Sequence, residues 1–309
     1  MAKNKGYVMV LTAAALWGIS GTAAQHLFDK STVTMGWLVT VRLLASGLLF
    51  LIMAALGGKS REVFTVWRNT ASISHFVFFG IAGMMGVQYT YFAAIDTGNA
   101  AVATLLQYIA PVIILAYYLL RQRSIPNRLE IIAVILALWG TVLLLTNGKP
   151  ETLAVPWSAV GWGLLSAFAL AFYTLYSNKL VQKFNSVIVV GWGMLFGGIS
   201  LIPVYKPYEF DASEWNVSVY LLIVFVIIFG TLIPFYLFID SLHYITPKEG
   251  SLLSCAEPLS SVITSIIWLG VPFGIFQGAG ALSIIGMVIL LTLKPNIKKG
   301  APAQHSAET

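Results

Sequence analysis

Residues 86–112 read GVQYTYFAAIDTGNAAVATLLQYIAPV, and their pattern returns 147 positions further along the chain. A shift of 147 lays Gly83 on Gly230, Tyr89 on Tyr236, Leu105 on Leu252 and Pro111 on Pro258 without a gap, and Tyr91 then falls on Phe238. Leucines coincide by chance between any two apolar segments. Glycine, tyrosine and proline held in register over about 30 residues mark an internal duplication. With one residue of slippage the match continues, Gly140-Thr-Val-Leu-Leu against Gly286-Met-Val-Ile-Leu.

The duplicated stretch lies in a chain of 309 residues that is 58% hydrophobic and 10% charged. Soluble chains carry about 25% charge, and a water-soluble fold of this size has no core large enough for so much apolar surface. Apolar runs near 7–27, 33–56, 74–94, 98–120, 129–147, 157–177, 186–204, 218–239, 249–270 and 274–293 are each long enough to cross a hydrocarbon layer. At that depth the backbone must satisfy its own hydrogen bonds, so the runs are expected to be helices. The first run follows Lys3 and Lys5 and ends Gly21-Thr22-Ala23-Ala24, a pattern shared with cleaved signal peptides. Its loss would remove the first helix of the repeat, so it is read as a span.

Spans 3–5 repeat as spans 8–10, and by position spans 1–2 repeat as 6–7. Five is odd, so the two halves enter the membrane in opposite directions. This predicts an all-α integral membrane fold of ten transmembrane helices in two inverted five-helix repeats, with a midplane site between them. The expected organisation is residues 1–147, an external linker 148–156, residues 157–293 and a cytoplasmic tail 294–309.

Loop charges predict the orientation. Lys3, Lys5, Lys59, Arg61, Arg68, Arg121, Arg123, Arg128, Lys179, Lys183, Lys248, Lys294, Lys298 and Lys299, 14 of the 18 cations, fall on one side. Lys30, Lys149 and Lys206 fall on the other, and Arg42 lies within span 2. Both termini are therefore expected in the cytoplasm. The net charge of +6 does not point to nucleic acid, because the basic residues are scattered between apolar runs. Cys255 is the single cysteine, which excludes an intramolecular disulfide, and His26, His75, His243 and His305 are too dispersed for a metal motif.

Three stretches carry a family resemblance: TVRLLASGLLFL at 40–51, residues 86–112, and GSLLSCAEPLSSVI at 250–263 with its Glu257-Pro258 pair. They resemble the two EamA domains of the drug/metabolite transporter superfamily, and a bacterial branch of it, over nearly the whole chain. The resemblance implies ten helices, a central cavity and movement of small metabolites, often export of amino acids. It also matches Arg42 to an arginine common at that place. Many members end spans 4 and 9 with Gly-Glu, whereas this chain has Arg121-Gln122 and Gly270-Val271.

Polar groups inside a membrane helix are costly and usually face a cavity or another helix. Ser251, Ser254, Glu257, Ser261 and Thr264 form one stripe on span 9, and Thr104, Gln107 and Pro111 form its counterpart on span 4. Gln107 and Ser254 occupy matching repeat positions, as expected of a pseudo-symmetric cavity; interhelical packing through short hydrogen bonds is the competing role for the serines. Gln88, Trp17, Tyr91, Tyr173 and Tyr236 are further cavity candidates, within a wider aromatic set that includes Tyr89 and Tyr176. Aromatics stack on planar groups or hold cations, although they also fill helix gaps. Pro111 and Pro258 each free a carbonyl one turn earlier and are hinge or kink candidates. Arg42 is expected to snorkel or to pair with an acid. Glu257 is expected to be protonated, paired or solvated by the cavity, in a coupling or a structural role.

No P-loop, His-Glu-x-x-His or Gly-x-Ser-x-Gly motif occurs, which argues against an ATP-driven pump and a membrane enzyme. No cofactor or metal is expected. The reading is a secondary transporter of the bacterial cytoplasmic membrane, most readily an exporter of amino acids or related amphipathic compounds, with protons as the candidate coupling ion. A channel or scaffold, and an importer of nucleosides, sugars or organic cations, are the alternatives. Gly193 and Gly197 form a GxxxG that suits either a dimer or the bundle itself, so monomer and homodimer stay open.

Overall fold

The computed structural model describes residues 2–68, 70–123, 125–149, 153–245 and 247–293. The expected tail 294–309 lies outside these residues, as do 150–152 of the expected linker. The first half comprises α1 (Ala2–Lys30), α2 (Met35–Ala54), α3 (Thr70–Thr97), α4 (Ala100–Gln122) and α5 (Arg128–Thr146). The second comprises α6 (Trp157–Val181), α7 (Ser186–Tyr205), α8 (Val217–Ser241), α9 (Pro247–Leu253, then Ala256–Leu269) and α10 (Ile275–Leu293). Nine of the described helices are long and apolar enough to cross a membrane unaided. The tenth segment, α9, is divided between its two pieces.

The 147-residue period reappears in the helix ends. Adding it carries Thr70 to Val217, Ala100 to Pro247, Gln122 to Leu269, Arg128 to Ile275 and Thr146 to Leu293, each a helix end in both halves. The interruptions repeat as well. A π-helical turn widens α3 at Phe79–Met85 and α8 at Ile228–Leu232, and the aligned glycines Gly83 and Gly230 lie inside these turns. Such turns leave the backbone ladder locally mismatched and occur often at functional sites. α4 breaks after Gln107 and resumes at Ala110, while α9 breaks after Leu253 and resumes at Ala256. Each break lies one turn before a proline, Pro111 or Pro258, which has no N–H for the helix ladder and crowds the carbonyl four residues back.

The halves are interleaved. α1 packs on α8 and α9 of the second half, and α6 packs on α3 and α4 of the first. The equivalent helices α2 and α7 pair with each other, as do α5 and α10. Close backbone approach makes the α3–α7 contact, where Gly80 faces the Gly193 carbonyl and Gly197 faces the Gly80 carbonyl. The GxxxG of α7 is therefore used inside the bundle.

Candidate functional site

Between the halves, at the two helix breaks, lies a cavity of about 420 Å³, within the range of small-molecule sites. α1 contributes Trp17, α2 Arg42, α3 Gln88 and Tyr91, α4 Gln107, Tyr108 and Pro111, α6 Tyr173, and α9 Ser254 and Glu257. Nine of the residues expected from the sequence thus meet in one space. Tyr236 and Pro258 do not. Tyr236 is 45% exposed, on the outer side of α8, and Phe235 and Phe238 take the cavity positions instead. One step along a helix turns the side chain by about 100°, so the residue beside a lining position faces away. Pro258 is buried within the packing rather than lining the cavity. In the wider aromatic set, Tyr89 bonds the Tyr205 hydroxyl and Tyr176 bonds His75 Nδ1 at 2.7 Å.

The α4 and α9 breaks meet through Tyr108. Its hydroxyl lies 2.9 Å from Glu257 Oε2 and 2.7 Å from the Ser254 carbonyl oxygen. Pro258 has no N–H for that carbonyl, which takes a bond from Glu257 N at 2.9 Å instead and keeps its second lone pair for Tyr108. A phenol has one proton to give. With Glu257 ionised, two acceptors compete for it. With Glu257 protonated, the acid donates to the phenol oxygen and the phenol donates to Ser254, so both contacts are satisfied. Tyr108 is a cavity residue that sequence reasoning missed. Its signal was its place between Gln107 and Pro111, where a helix break turns neighbouring residues into the cavity. Ser254 contributes chiefly this carbonyl, since its hydroxyl donates to Gly250 O at 2.9 Å. Gln107 Nε2 donates to Ser166 Oγ at 2.6 Å, fastening α4 to α6.

Beyond Glu257 the polar stripe of α9 changes role. Thr104 Oγ1 donates to Ser261 Oγ at 3.2 Å and is paired with the Tyr91 hydroxyl at 2.9 Å, while Thr22 and Thr264 are paired at 2.7 Å. These contacts zip α9 to α4 and α1 and close that end. The Ser251 side chain lies outside the described residues. Trp17 meets Phe235 edge-on, with ring centroids 5.2 Å apart, and Tyr173 stacks on Phe79 at 5.5 Å. Arg42 neither snorkels nor joins an ion pair among the described residues, contrary to the sequence expectation. It donates from Nε to Thr231 Oγ1 and from Nη2 to the Gly230 carbonyl at 3.0 Å, and it covers the Phe92 ring at 4.7 Å. The acceptors come from the π-helical turn of α8, whose displaced backbone presents a carbonyl sideways.

The EamA-like transporter family model matches residues 4–146 and 157–293, one repeat on each half. The inner membrane transporter YicL of Salmonella typhimurium is 37% identical over 292 residues, covering 94% of this chain and 96% of its own. The transporter YetK of Bacillus subtilis is 24% identical, over 97% and 93% of the two chains. A crystal structure superposes with a TM-score of 0.61 at 20% identity, over 94% of this chain and 97% of the other, which is a likeness of fold. With both repeats matched and a relative alike over almost its full length, this chain belongs to the EamA-like transporter family and is a multi-pass membrane transporter.

Proposed function

We propose that this protein is a secondary-active, alternating-access exporter of amino acids or related amphipathic metabolites, coupled to protons at Glu257. The observation that carries the reading is the cavity at the two helix breaks, where Glu257, Tyr108 and the Ser254 carbonyl form one proton-sensitive contact between the repeats. A carboxyl group whose two protonation states satisfy different sets of hydrogen bonds favours different arrangements of the helices bearing them. The mostly apolar walls, with Trp17, Phe235 and Phe238 among them, suit an apolar substrate body. In proteoliposomes loaded with an amino-acid mixture, radiolabelled substrate is expected to show saturable counterflow that responds to an imposed pH gradient. Flux that rises linearly with concentration and shows no counterflow means a channel.

The lining extends to Val181 and Ser186, at the turn between α6 and α7 that carries Lys183. With the cationic loops inside, this is a cavity approached from the cytoplasm, as an exporter needs for loading. Both termini are then cytoplasmic. A C-terminal alkaline phosphatase fusion is expected to be inactive and a C-terminal green fluorescent protein fusion bright. The opposite pair of results inverts the topology.

A further inference from the structure

Arg42 brings a positive charge into the cavity wall, and no acid touches it. The side chain is 5% exposed and lines the cavity. Its two hydrogen bonds go to neutral acceptors, Thr231 Oγ1 and the Gly230 carbonyl. The ion pairs among the described residues are Lys3–Glu249, Lys206–Glu209 and His243–Asp240, so Glu257, though in the same cavity, is not in contact with Arg42. A guanidinium has five N–H donors in a planar fork. The bonds to α8 engage Nε and Nη2, and no hydrogen bond among the described residues takes up Nη1. Phe92 covers one face of the fork, which leaves its donor edge as the approach for an acceptor.

A buried charge with no acid in contact is expensive, and inside a membrane helix it marks a substrate or ion path. A lysine would serve as a point charge. The rigid fork suits bidentate recognition of a carboxylate, and the π-helical turn of α8 fixes its plane.

We propose that Arg42 is the anion subsite of the cavity and takes the carboxylate of the transported molecule, whose apolar part lies against Trp17, Phe235 and Phe238. This rests on the transporter reading above and narrows it to carboxylate-bearing substrates; amines and neutral sugars lack the group that the site recognises. The Thr231 and Gly230 contacts order the fork but supply no negative charge, and Glu257, the acid that acts on it across the cavity, does not touch it, so the donor edge stays open to the substrate's carboxylate.

Hydrocinnamate and hydrocinnamamide share shape and apolar area and differ in charge, so they isolate the subsite. With purified full-length protein in neutral detergent, hydrocinnamate is expected to raise the thermal unfolding midpoint in a saturable way and the amide to leave it unchanged. Arg42→Gln keeps a donor for the Gly230 carbonyl but removes the charge, and should weaken hydrocinnamate by roughly a hundredfold. Arg42→Lys should recover part of that loss. Equal shifts by acid and amide overturn the assignment, as does the absence of any shift with either. The wild-type comparison decides the matter even if Arg42→Gln fails to fold. Saturable counterflow of phenethylamine, with none of hydrocinnamate, would also refute the Arg42 subsite while leaving the transporter reading intact.

Discussion

Glu257→Gln is expected to give a folded protein that binds substrate but whose transport no longer varies with pH. Glutamine keeps the volume of the acid, and its amide donates and accepts much as a protonated carboxyl does. It therefore preserves the arrangement in which residue 257 donates to the Tyr108 oxygen and Tyr108 donates to the Ser254 carbonyl, 2.7 Å away. The ionised arrangement is removed, in which the carboxylate takes the phenol proton at 2.9 Å and Ser254 loses it. The charged and polar groups facing this carboxyl are Tyr108 from α4, Arg42 from α2, Tyr91 from α3 and Cys255 from its own helix. None of these offers a second carboxylate to take over the titration. The measurement is the initial rate of counterflow against pH, for wild type and variant in matched proteoliposomes. A variant profile that follows the wild type in rate and shape makes the carboxyl structural. Tyr108→Phe is the companion test. It keeps the ring but takes the phenol from the acid and leaves the half-buried Ser254 carbonyl with its Glu257 N–H bond alone, a cost of about 0.5–1.5 kcal/mol, read as a lowered unfolding midpoint alongside an altered pH profile.

Gly18→Ala is expected to cost about 1–3 kcal/mol of stability through overpacking and to abolish transport. A Cβ at Gly18 would lie 2.5 Å from the Glu257 carbonyl oxygen and 2.7 Å from the Ser261 nitrogen. Both are backbone atoms of α9, so no rotamer change relieves the overlap and the α1–α9 interface must open. That opening displaces Glu257 from Tyr108 and disrupts the Thr22–Thr264 contact. Gly161→Ala in α6 is the control, because a Cβ there meets nothing within 4 Å. It should be neutral or slightly stabilising, since alanine loses less backbone freedom in a helix. Thermal unfolding in detergent and counterflow together decide it. Equal behaviour of the two variants means that the close approach of α1 to α9 is not required.

Part of the site is legible in the amino-acid sequence. The 147-residue shift makes Gln107 and Ser254 equivalent, and both line the cavity. The same shift aligns Tyr89 with Tyr236, yet neither lines it. Identity between repeats records a shared packing role as readily as a shared site. For Tyr236, the rotation of α8 after its π-helical turn puts Phe235 and Phe238 inward instead. The polar stripe of α9 is legible as a stripe, but not its division into a half that meets the cavity and a half that zips to α1 and α4. That division depends on where neighbouring helices approach.

The sequence by itself determined the membrane class, the segments that cross, the duplication and its inversion. These are one-dimensional properties: hydropathy over about 20 residues, glycine and proline in register, and an odd number of spans per repeat. The tertiary structure decided which partners those residues find. Arg42 meets the α8 backbone rather than an acid, because a π-helical turn near Gly230 brings a carbonyl within 3.0 Å. Tyr108 reaches Glu257 because both broken helices turn their interruptions to one point. Such meetings depend on helix rotation and on breaks in the hydrogen-bond ladder, and residues 149 positions apart in the chain carry no mark of each other.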